Sequence, residues 1–323
     1  MELVALKILA DTRNARSRCV IMFGRVWERV LHDMTNTSIQ RVAITGGSGR
    51  IGSHTIAVLL EQGYEVVNID VRPPEGSRLA GTSAFRQADL SDYGQTFAVL
   101  HGFDAVVHLA ADPRPDRDHF SGAQRFHNNT LGAYNIFSAA SALELKRVVW
   151  ASSETIYGFP FDVIVPDYAP IDERSRYYPQ SSYALSKMVS ETMAQQFSRR
   201  SGIPFIGLQF SNVVLPHVYE QCPQFWADPK LRIFDLWSYV DYRDAAQAVL
   251  KGLRADITGA EHFIVAAADT IMNRPSAELM AEYFPTTNLR ENLGEFESLM
   301  SSQKATRMLG YTAQHSWRDH LSA

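Results

Sequence analysis

The chain has 323 residues, of which 46% are hydrophobic and 20% charged, and its formal net charge is −4. This size allows one large core or a cofactor domain with a smaller appendage. The charge gives no electrostatic reason to expect nucleic acid or an anionic membrane as partner, and no apolar run approaches the roughly 20 residues that cross a bilayer. With only Cys19 and Cys222, a disulfide framework is excluded and a reducing cytoplasm is expected.

Residues 1–33 precede the first recognisable element. Arginines are scattered there among short apolar runs, but acidic residues such as Glu2 and Asp33 depart from the acid-poor pattern of a transit peptide. We predict an extension that the fold does not need, with Met34 as the hypothetical true start. A targeting peptide is the alternative.

Residues 40–72 have the order of elements that is typical of a dinucleotide-binding unit. Residues 42–44 predict a buried strand, a glycine-rich turn follows, apolar residues recur at helical spacing up to Gly63, and a second strand ends on Asp70. Phosphate binds to backbone N–H groups at a helix N-terminus, and a Cβ in the turn would block its approach. The predicted cofactor contacts in the turn are Gly46, Gly49, Arg50, Ile51 and Gly52.

Asp70 bears on which dinucleotide binds. Its carboxylate can accept hydrogen bonds from the adenosine ribose hydroxyls, and its charge would repel a 2′-phosphate. We therefore predict NAD rather than NADP, although Arg50 and Arg72 lie close enough in sequence to weaken the discrimination.

Strands and helices continue to alternate after this unit. The pattern predicts strands at 84–89, 104–109, 147–151 and 204–210, and helices at 93–100, 124–145 and 183–200. Such alternation predicts an α/β fold, a doubly wound parallel sheet of the Rossmann type with helices on both faces. We predict an NAD-binding domain over residues 34–211. The less regular residues 212–323 are predicted to form a small C-terminal substrate-binding cap, with some elements returning to the sheet.

A serine and a Tyr-x-x-x-Lys pair follow the fifth predicted strand. Tyr183 and Lys187 lie one helical turn apart, so the ammonium is expected to lower the tyrosine pKa from about 10 towards a value suited to proton transfer. Ser153, at the strand end, can donate a hydrogen bond to the same substrate oxygen. A surface tyrosine beside a solvated lysine is the common alternative, and the position after a complete dinucleotide unit favours the catalytic interpretation.

From about Gln40 to Ala268 the chain resembles the extended short-chain dehydrogenase/reductases, specifically the NAD-dependent epimerase/dehydratase family. The resemblance is carried by seven motifs in chain order: TGGSGRIG at 45–52, Asp89-Leu90, HLAA at 108–111, NTLGAYN at 129–135, SSETIYG at 152–158, the pair Tyr183 and Lys187, and VDYRDA at 240–245.

The resemblance implies a reaction and a set of contacts. Tyr183 would remove a proton from a substrate hydroxyl while hydride passes to the nicotinamide, Ser153 would steady the oxygen, and Lys187 would also bind the nicotinamide ribose. The further cofactor-binding positions that it implies are Asp89, Leu90, Leu109, Ala110, Ala111 and Asn129. It also implies a homodimer formed through the two long helices at 124–145 and 183–200.

Two segments depart from the family pattern. The strand ending RxxNVYGP appears at 209–216 without the Arg or the Tyr-Gly, and LWSY at 236–239 stands where nucleotide-sugar epimerases commonly hold a pyrophosphate-binding arginine. Arg232 and Arg243 lie nearby and are possible substitutes. The predicted substrate contacts are Ser153, Asn212, Arg114 and Arg243.

Several other residues have an ordinary structural interpretation. His108 lies in an apolar strand and is predicted to be a packed core side chain rather than a base. Trp226, Trp237 and Tyr239 either stack on a substrate ring or form the core of the cap. No group of His, Cys and acidic residues has metal-ligand spacing, so no metal is predicted.

The leading prediction is an NAD-dependent sugar or nucleotide-sugar epimerase. The alternative enzyme is an NAD-dependent dehydrogenase of a free sugar, a uronate or another secondary alcohol. A third hypothesis is a non-catalytic sensor that binds NAD(P), and the presence of Ser153, Tyr183 and Lys187 together argues against it.

Overall fold

The structure, a computed structural model, describes residues 39–74, 83–114, 116 and 118–321. The extension predicted over residues 1–33 and the start at Met34 therefore lie outside the described residues. No helix within the described ranges is long and apolar enough to cross a membrane.

Eleven strands and nine α-helices are formed by the part of the chain that the structure describes. The strands are β1 Arg41–Thr45, β2 Glu65–Asp70, β3 Ala84–Gln87, β4 Ala105–His108, β5 Arg147–Ser153, β6 Tyr168–Ala169, β7 Phe205–Phe210, β8 Val213–Val214, β9 Val240–Asp241, β10 Ala260–Val265 and β11 Asn288–Leu289. The helices are α1 Arg50–Glu61, α2 Tyr93–Leu100, α3 His119–Ala142, α4 Ser182–Ser201, α5 Pro216–Tyr219, α6 Cys222–Ala227, α7 Tyr242–Arg254, α8 Ser276–Tyr283 and α9 Gln303–Leu309. Short 3₁₀ segments lie at Glu154–Tyr157, Pro229–Asp235 and Trp317–Asp319.

Seven parallel strands form the central sheet in the order β10-β7-β5-β4-β1-β2-β3, which confirms the predicted α/β fold. β4 and β7 are buried along their whole length because helices cover both faces, and this explains their nearly continuous apolar sequences. The strand order reverses at β1, where Thr45 pairs with His108 of β4. Ligands of such sheets bind at this switch point, outside the carboxyl ends of the strands.

Each face of the sheet has its own hydrophobic core. One core joins the sheet to α1, α7 and α9 through residues such as Ile56, Val249 and Leu309. The other joins it to α2, α3 and α4 through residues such as Leu100, Ile136 and Ala194. The helices are therefore fixed on both sides, and their N-termini are held at the edge where the strands end.

Two elements that carry site residues are longer than the sequence predicted. α3 begins at His119 because Asp118 forms a capping box with Ser121, whose backbone N–H donates to the Asp118 carboxylate at 2.7 Å. The polar first turn shows no apolar periodicity, so the prediction began at residue 124. β5 extends to Ser153 because its last residues pair with β7, with Ser153 opposite Phe210.

The seventh strand, β10, was absent from the sequence-based prediction. Its residues extend the sheet beyond β7, with Phe263 opposite Leu208 and Val265 opposite Phe210. The sequence AEHFIV begins with polar residues, and it follows the helix α7 in a region where the pattern is irregular. Both β10 and α7 return from the C-terminal third of the chain to the main sheet.

A third hydrophobic core lies in the C-terminal part of the chain. Trp237 and Tyr239 are fully buried in it, and Trp226 packs against Trp317 with ring centroids 4.9 Å apart. The indole of Trp237 donates to the carbonyl of Pro229 at 2.8 Å. These aromatic residues therefore belong to this third core.

Candidate active site

The glycine-rich turn brings backbone against backbone at the switch point. Gly46 has φ +71°, and a Cβ built on it would lie 2.6 Å from the backbone nitrogen of Ala110. A Cβ on Gly52 would lie 2.2 Å from the carbonyl oxygen of Gly46. Gly49 is the N-cap of α1 and provides no side-chain cap, while Arg50 and Ile51 form its first turn. Because the glycines have no side chains, the backbone of the turn forms an open cradle, which fits the pyrophosphate of a dinucleotide.

Two acidic residues follow neighbouring strands at the edge of the crevice. Asp70 ends β2 and accepts a hydrogen bond from the backbone N–H of Ser48 in the turn, at 3.2 Å. Asp89 follows β3, where the N–H of Ala88 donates to the carbonyl of Asp70 at 3.2 Å. Leu90, beside Asp89, accepts a hydrogen bond from the Asn135 amide at 2.8 Å. The structure thus brings the predicted adenosine contacts Asp70 and Asp89 to one edge.

The segment after β4 forms the opposite wall of the turn. The N–H of Leu109 donates to the carbonyl of Thr45 at 3.0 Å, which places Ala110 beside Gly46. Asn129 of α3 fixes the backbone of Asp112, the residue after Ala111. The side-chain oxygen of Asn129 accepts from the N–H of Asp112 at 2.8 Å, and the side-chain nitrogen of Asn129 donates to the carbonyl of Asp112 at 3.1 Å.

Ser153, Tyr183 and Lys187 are placed at the same edge of the sheet. Ser153 stands at the end of β5, and its hydroxyl accepts from the N–H of Thr155 at 3.2 Å; it also opposes the rise in the pKa of Tyr183. α4 begins at Ser182 because Ser181 caps it, accepting from the N–H of Ala184 at 3.1 Å, so Tyr183 lies in the first turn. The ammonium of Lys187 lies 5.5 Å from the centre of the Tyr183 ring and donates to the carbonyl of Ala151 at 2.7 Å.

The predicted lowering of the tyrosine pKa is wrong for the protein in this structure. Burial raises the pKa of Tyr183 to about 12, and the hydrogen bond from Ser153 offsets this only in part. The main cause is desolvation of the phenolate, to which the charge of Glu154 adds. Burial also lowers the pKa of Lys187 to about 8, against the opposing effect of the Glu191 carboxylate.

Glu191 is a buried residue of the site that the sequence reasoning missed. Its carboxylate accepts hydrogen bonds from Ser152 and Tyr177, both at 2.5 Å, and from the amide of Gln209 at 2.9 Å. Gln209 stands where the family pattern has an arginine, and in this fold the Gln209 side chain is hydrogen-bonded to Glu191. The signal was available, since Glu191 lies four residues after Lys187, the spacing that also relates Lys187 to Tyr183.

Glu154 is the second residue that was missed. It follows Ser153 directly, it is 5% exposed, and its carboxylate accepts a hydrogen bond from Ser211 at 2.6 Å. The sequence signal was a carboxylate in the middle of the SSETIYG motif.

The predicted substrate contacts are placed as follows. Asn212 follows β7 and its amide donates to Asp235 at 3.3 Å. Arg243 is bound to Asp241 through two hydrogen bonds of 2.8 and 2.9 Å. Arg114 is bound in the same way to Asp112, at 2.8 and 2.7 Å, and most of its side chain is exposed.

His108 is a core residue, as predicted. It is 4% exposed, its Nδ1 lies 2.7 Å from the hydroxyl of Thr45, and burial lowers its pKa to about 3. A neutral, enclosed imidazole is unsuited to exchange protons with a substrate. Among the residues that the structure describes, no group of three or more His, Cys, Asp or Glu is arranged to hold a metal ion.

Comparison with known proteins agrees with this geometry. A model of the NAD dependent epimerase/dehydratase family matches residues 42–266. The UDP-glucose 4-epimerase of Streptococcus mutans is 32% identical over 177 residues, which are 53% of this chain and 51% of that protein. The chain thus spans about half the length of the first curated relatives that it matches.

Solved structures share the fold over most of the chain. The UDP-glucose 4-epimerase from Brucella ovis in complex with NAD has a TM-score of 0.66 at 19% identity and covers 86% of this chain and 94% of its own. A mutated uronate dehydrogenase has a TM-score of 0.63 at 21% identity and covers 88% and 86%. At these identities the likeness is one of fold.

Proposed function

The chain belongs to the NAD-dependent epimerase/dehydratase family, and from that premise we propose that it oxidises a hydroxyl group of a sugar, with epimerisation of a nucleotide sugar as the first candidate reaction. The observation that carries the proposal is the Lys187 ammonium 5.5 Å from the Tyr183 ring, with Ser153 at the end of β5, on the edge of the sheet that also bears the glycine-rich turn. The similarity to a UDP-glucose 4-epimerase supports a nucleotide sugar as substrate.

NAD is the cofactor of this family, and the described residues fit it. The turn at Gly46 and Gly52 would receive the pyrophosphate, because no Cβ fills the space there. Asp70 and Asp89 would hold the adenosine half. When bound, NAD supplies the acceptor for the hydride and a positive ring charge.

The side chains of this chain divide the proton chemistry among them. Tyr183 acts as the phenolate: its oxygen takes the proton of the substrate hydroxyl and becomes the neutral phenol, while Ser153 donates a hydrogen bond to the substrate oxygen as charge develops there. Lys187 contributes a positive charge 5.5 Å from the ring and so stabilises the phenolate before the proton is transferred. Because burial raises the pKa of Tyr183 to about 12, this stabilisation is essential to the proposed role.

A second candidate function is the dehydrogenation of a free sugar or uronate. It is favoured because the arginines nearest to the site already form ion pairs with carboxylates of this chain. Arg232 is bound to Asp235 and Arg243 to Asp241, while LWSY at 236–239 stands where the family commonly places its pyrophosphate-binding arginine. A substrate diphosphate would have to compete with these carboxylates, whereas a free sugar needs no such contact.

A substrate panel tests both candidates. The purified protein is incubated with NAD and UDP-glucose, UDP-galactose, free hexoses or hexuronates, with NADH absorbance and proton NMR as readouts. An epimerase interconverts nucleotide sugars without accumulating NADH, and a dehydrogenase forms NADH in proportion to its product. NAD binding with no conversion of any member of this panel would contradict both candidates and favour the sensor.

We also propose that the protein acts in the cytoplasm as a homodimer formed by the outer faces of α3 and α4. Exposed apolar side chains on these helices support the dimer: Phe120, Tyr134 and Leu185 are 73%, 48% and 38% exposed. The cytoplasmic location is supported by Cys222, which is buried as a free thiol.

A further inference from the structure

A buried cluster of charged residues lies directly behind the proposed proton-transfer site. It consists of Glu154, Arg232 and Asp235, which are 5%, 6% and 0% exposed, together with the polar side chains of Ser211 and Asn212. Glu154 follows Ser153, and Arg232 and Asp235 belong to the 3₁₀ segment Pro229–Asp235 of the cap. The cluster therefore joins the end of β5 to the cap.

Arg232 is committed to Asp235. Its guanidinium forms an ion pair with that carboxylate and donates to the carbonyl of Ser238 at 3.2 Å. The rings of Phe225 and Phe234 each lie 5.4 Å from the guanidinium carbon and hold it in place. Asn212 adds a hydrogen bond of 3.3 Å to the same oxygen of Asp235.

The charges of the cluster do not balance if both acids are ionised. Two carboxylates face a single guanidinium, and burying an uncompensated charge is costly. Glu154 has a hydroxyl partner in Ser211 at 2.6 Å, whereas Asp235 has the arginine. Burial and the charge of Asp235 accordingly raise the pKa of Glu154 well above its usual range, and the pKa of Asp235 rises only to about 6 because Arg232 opposes the effect of burial. The retained proton therefore belongs on Glu154.

The charge of Glu154 acts on Tyr183. An ionised Glu154 raises the pKa of Tyr183, in addition to the effect of burial and against the hydrogen bond from Ser153. The groups that face Glu154 are Arg232 and Asp235 from the cap, Ser211 and the backbone N–H of Asn212 after β7, and Tyr183 from α4. A neutral Glu154 leaves the phenolate easier to form.

We propose that Glu154 is a positioning residue of the reaction, which keeps one proton within the Glu154–Asp235–Arg232 cluster and so prevents a second negative charge from opposing the phenolate of Tyr183. The inference rests on the proposed function, because it assigns Tyr183 the role of proton acceptor. It concerns the charge state of the site and leaves the identity of the sugar open.

The first test measures the ionisation of Tyr183 without any substrate. Tyrosinate absorbance is followed as the pH rises, to the limit at which far-ultraviolet circular dichroism shows an intact fold. The signal of Tyr183 is the difference between each protein and the same protein carrying Tyr183→Phe. Glu154 keeps its proton at neutral pH but is ionised at the alkaline pH at which Tyr183 titrates, where its charge raises the pKa of Tyr183. We therefore expect Glu154→Gln, which removes that charge, to shift this ionisation to lower pH by about one unit. The matched control is Glu173→Gln: Glu173 is also largely enclosed, bonded to the N–H of Ile264 at 2.9 Å, and should leave the titration of Tyr183 unchanged.

A Glu154→Gln protein in which Tyr183 titrates as in the wild type, or stays un-ionised over the same range, overturns the inference. An equal shift in Glu173→Gln overturns it too, because the effect would then be general. Since this titration requires no turnover, it is read in the same way if the proposed function fails.

The second test uses turnover. It does not require that the single variant Glu154→Gln folds. Asp235→Asn removes a charge that raises the pKa of Glu154, so Glu154 loses its proton more readily, its negative charge opposes the phenolate, and the rate is expected to fall about tenfold. Adding Glu154→Gln to Asp235→Asn should recover most of that loss. A double variant as slow as Asp235→Asn would show that Asp235 has only a structural role and would overturn the inference.

Discussion

Tyr183 shows how two opposing effects compete at a single side chain. Burial raises its pKa to about 12, and the hydrogen bond from Ser153 works against burial. Lys187, itself brought to a pKa of about 8 by burial, is kept charged in part by Glu191. The proposed catalytic residues Ser153, Tyr183 and Lys187 thus lie in a desolvated site, in which every charge depends on a specific neighbour.

The residue-scale prediction concerns the phenol oxygen. Tyr183→Phe removes the atom that would accept the substrate proton and keeps the ring that packs beside Lys187, so turnover should fall by about 10²–10⁴-fold. The dissociation constant for NAD, measured by calorimetry, should change by less than about threefold, since the phosphate cradle lies in another element.

The control for that substitution is Tyr178→Phe, which alters an exposed tyrosine 39% accessible to solvent and should leave turnover as it is. Undiminished activity of Tyr183→Phe would remove Tyr183 from the mechanism. Loss of NAD binding together with turnover would indicate a structural role instead.

At the scale of elements, the strand–turn–helix unit of β1 and α1 depends on the close approach of backbone to backbone. The position at Gly52 has no room for a side chain, because the neighbouring atoms belong to the backbone of Gly46 and Gly47 and cannot rotate away. The turn, the helix start and the crevice wall therefore form one rigid unit.

We predict that Gly52→Ala weakens NAD binding by at least about tenfold and destabilises the fold by about 1–3 kcal/mol, because its methyl group would force the turn open. Calorimetry with NAD and urea denaturation measure the two effects. The matched control is Gly132→Ala in α3, where the nearest atom to the new Cβ is 3.7 Å away. There we expect unchanged NAD affinity and a gain of about 0.5–1 kcal/mol from the helix backbone. Equal behaviour of the two variants would contradict the proposed close packing.

At the scale of the whole molecule, the outer surface of α3 and α4 carries several exposed apolar side chains. α3 and α4 pack on the same face of the sheet and carry Phe120, Tyr134 and Leu185 on their outer sides. Exposed apolar groups of this kind mark interaction sites, and a second copy of the chain would cover the same patch on both molecules.

We predict that Leu185→Glu shifts the protein from dimer to monomer, because two carboxylates would be buried at the symmetric interface. Light scattering after size-exclusion chromatography gives the mass directly. Val163→Glu is the control, since Val163 is 72% exposed on a loop outside α3 and α4. A wild-type protein that is monomeric at micromolar concentration would contradict the dimer.

The sequence by itself determined the dinucleotide-binding unit, the parallel sheet and the proximity of Tyr183 to Lys187. These features depend on local spacing: a glycine turn between a strand and a helix, and two side chains one helical turn apart. The same spacing would have revealed Glu191, which was overlooked for lack of a motif to draw attention to it.

Only the tertiary structure decided which charges are compensated. Ser211 reaches Glu154 across 57 residues of sequence, and Asn212 reaches Asp235 across 23. The seventh strand, β10, likewise exists through its pairing with β7, and burial in the fold raises the pKa of Tyr183. Strand pairing and the burial of side chains arise when distant segments of the chain come together. A pattern of neighbouring residues therefore does not predict them.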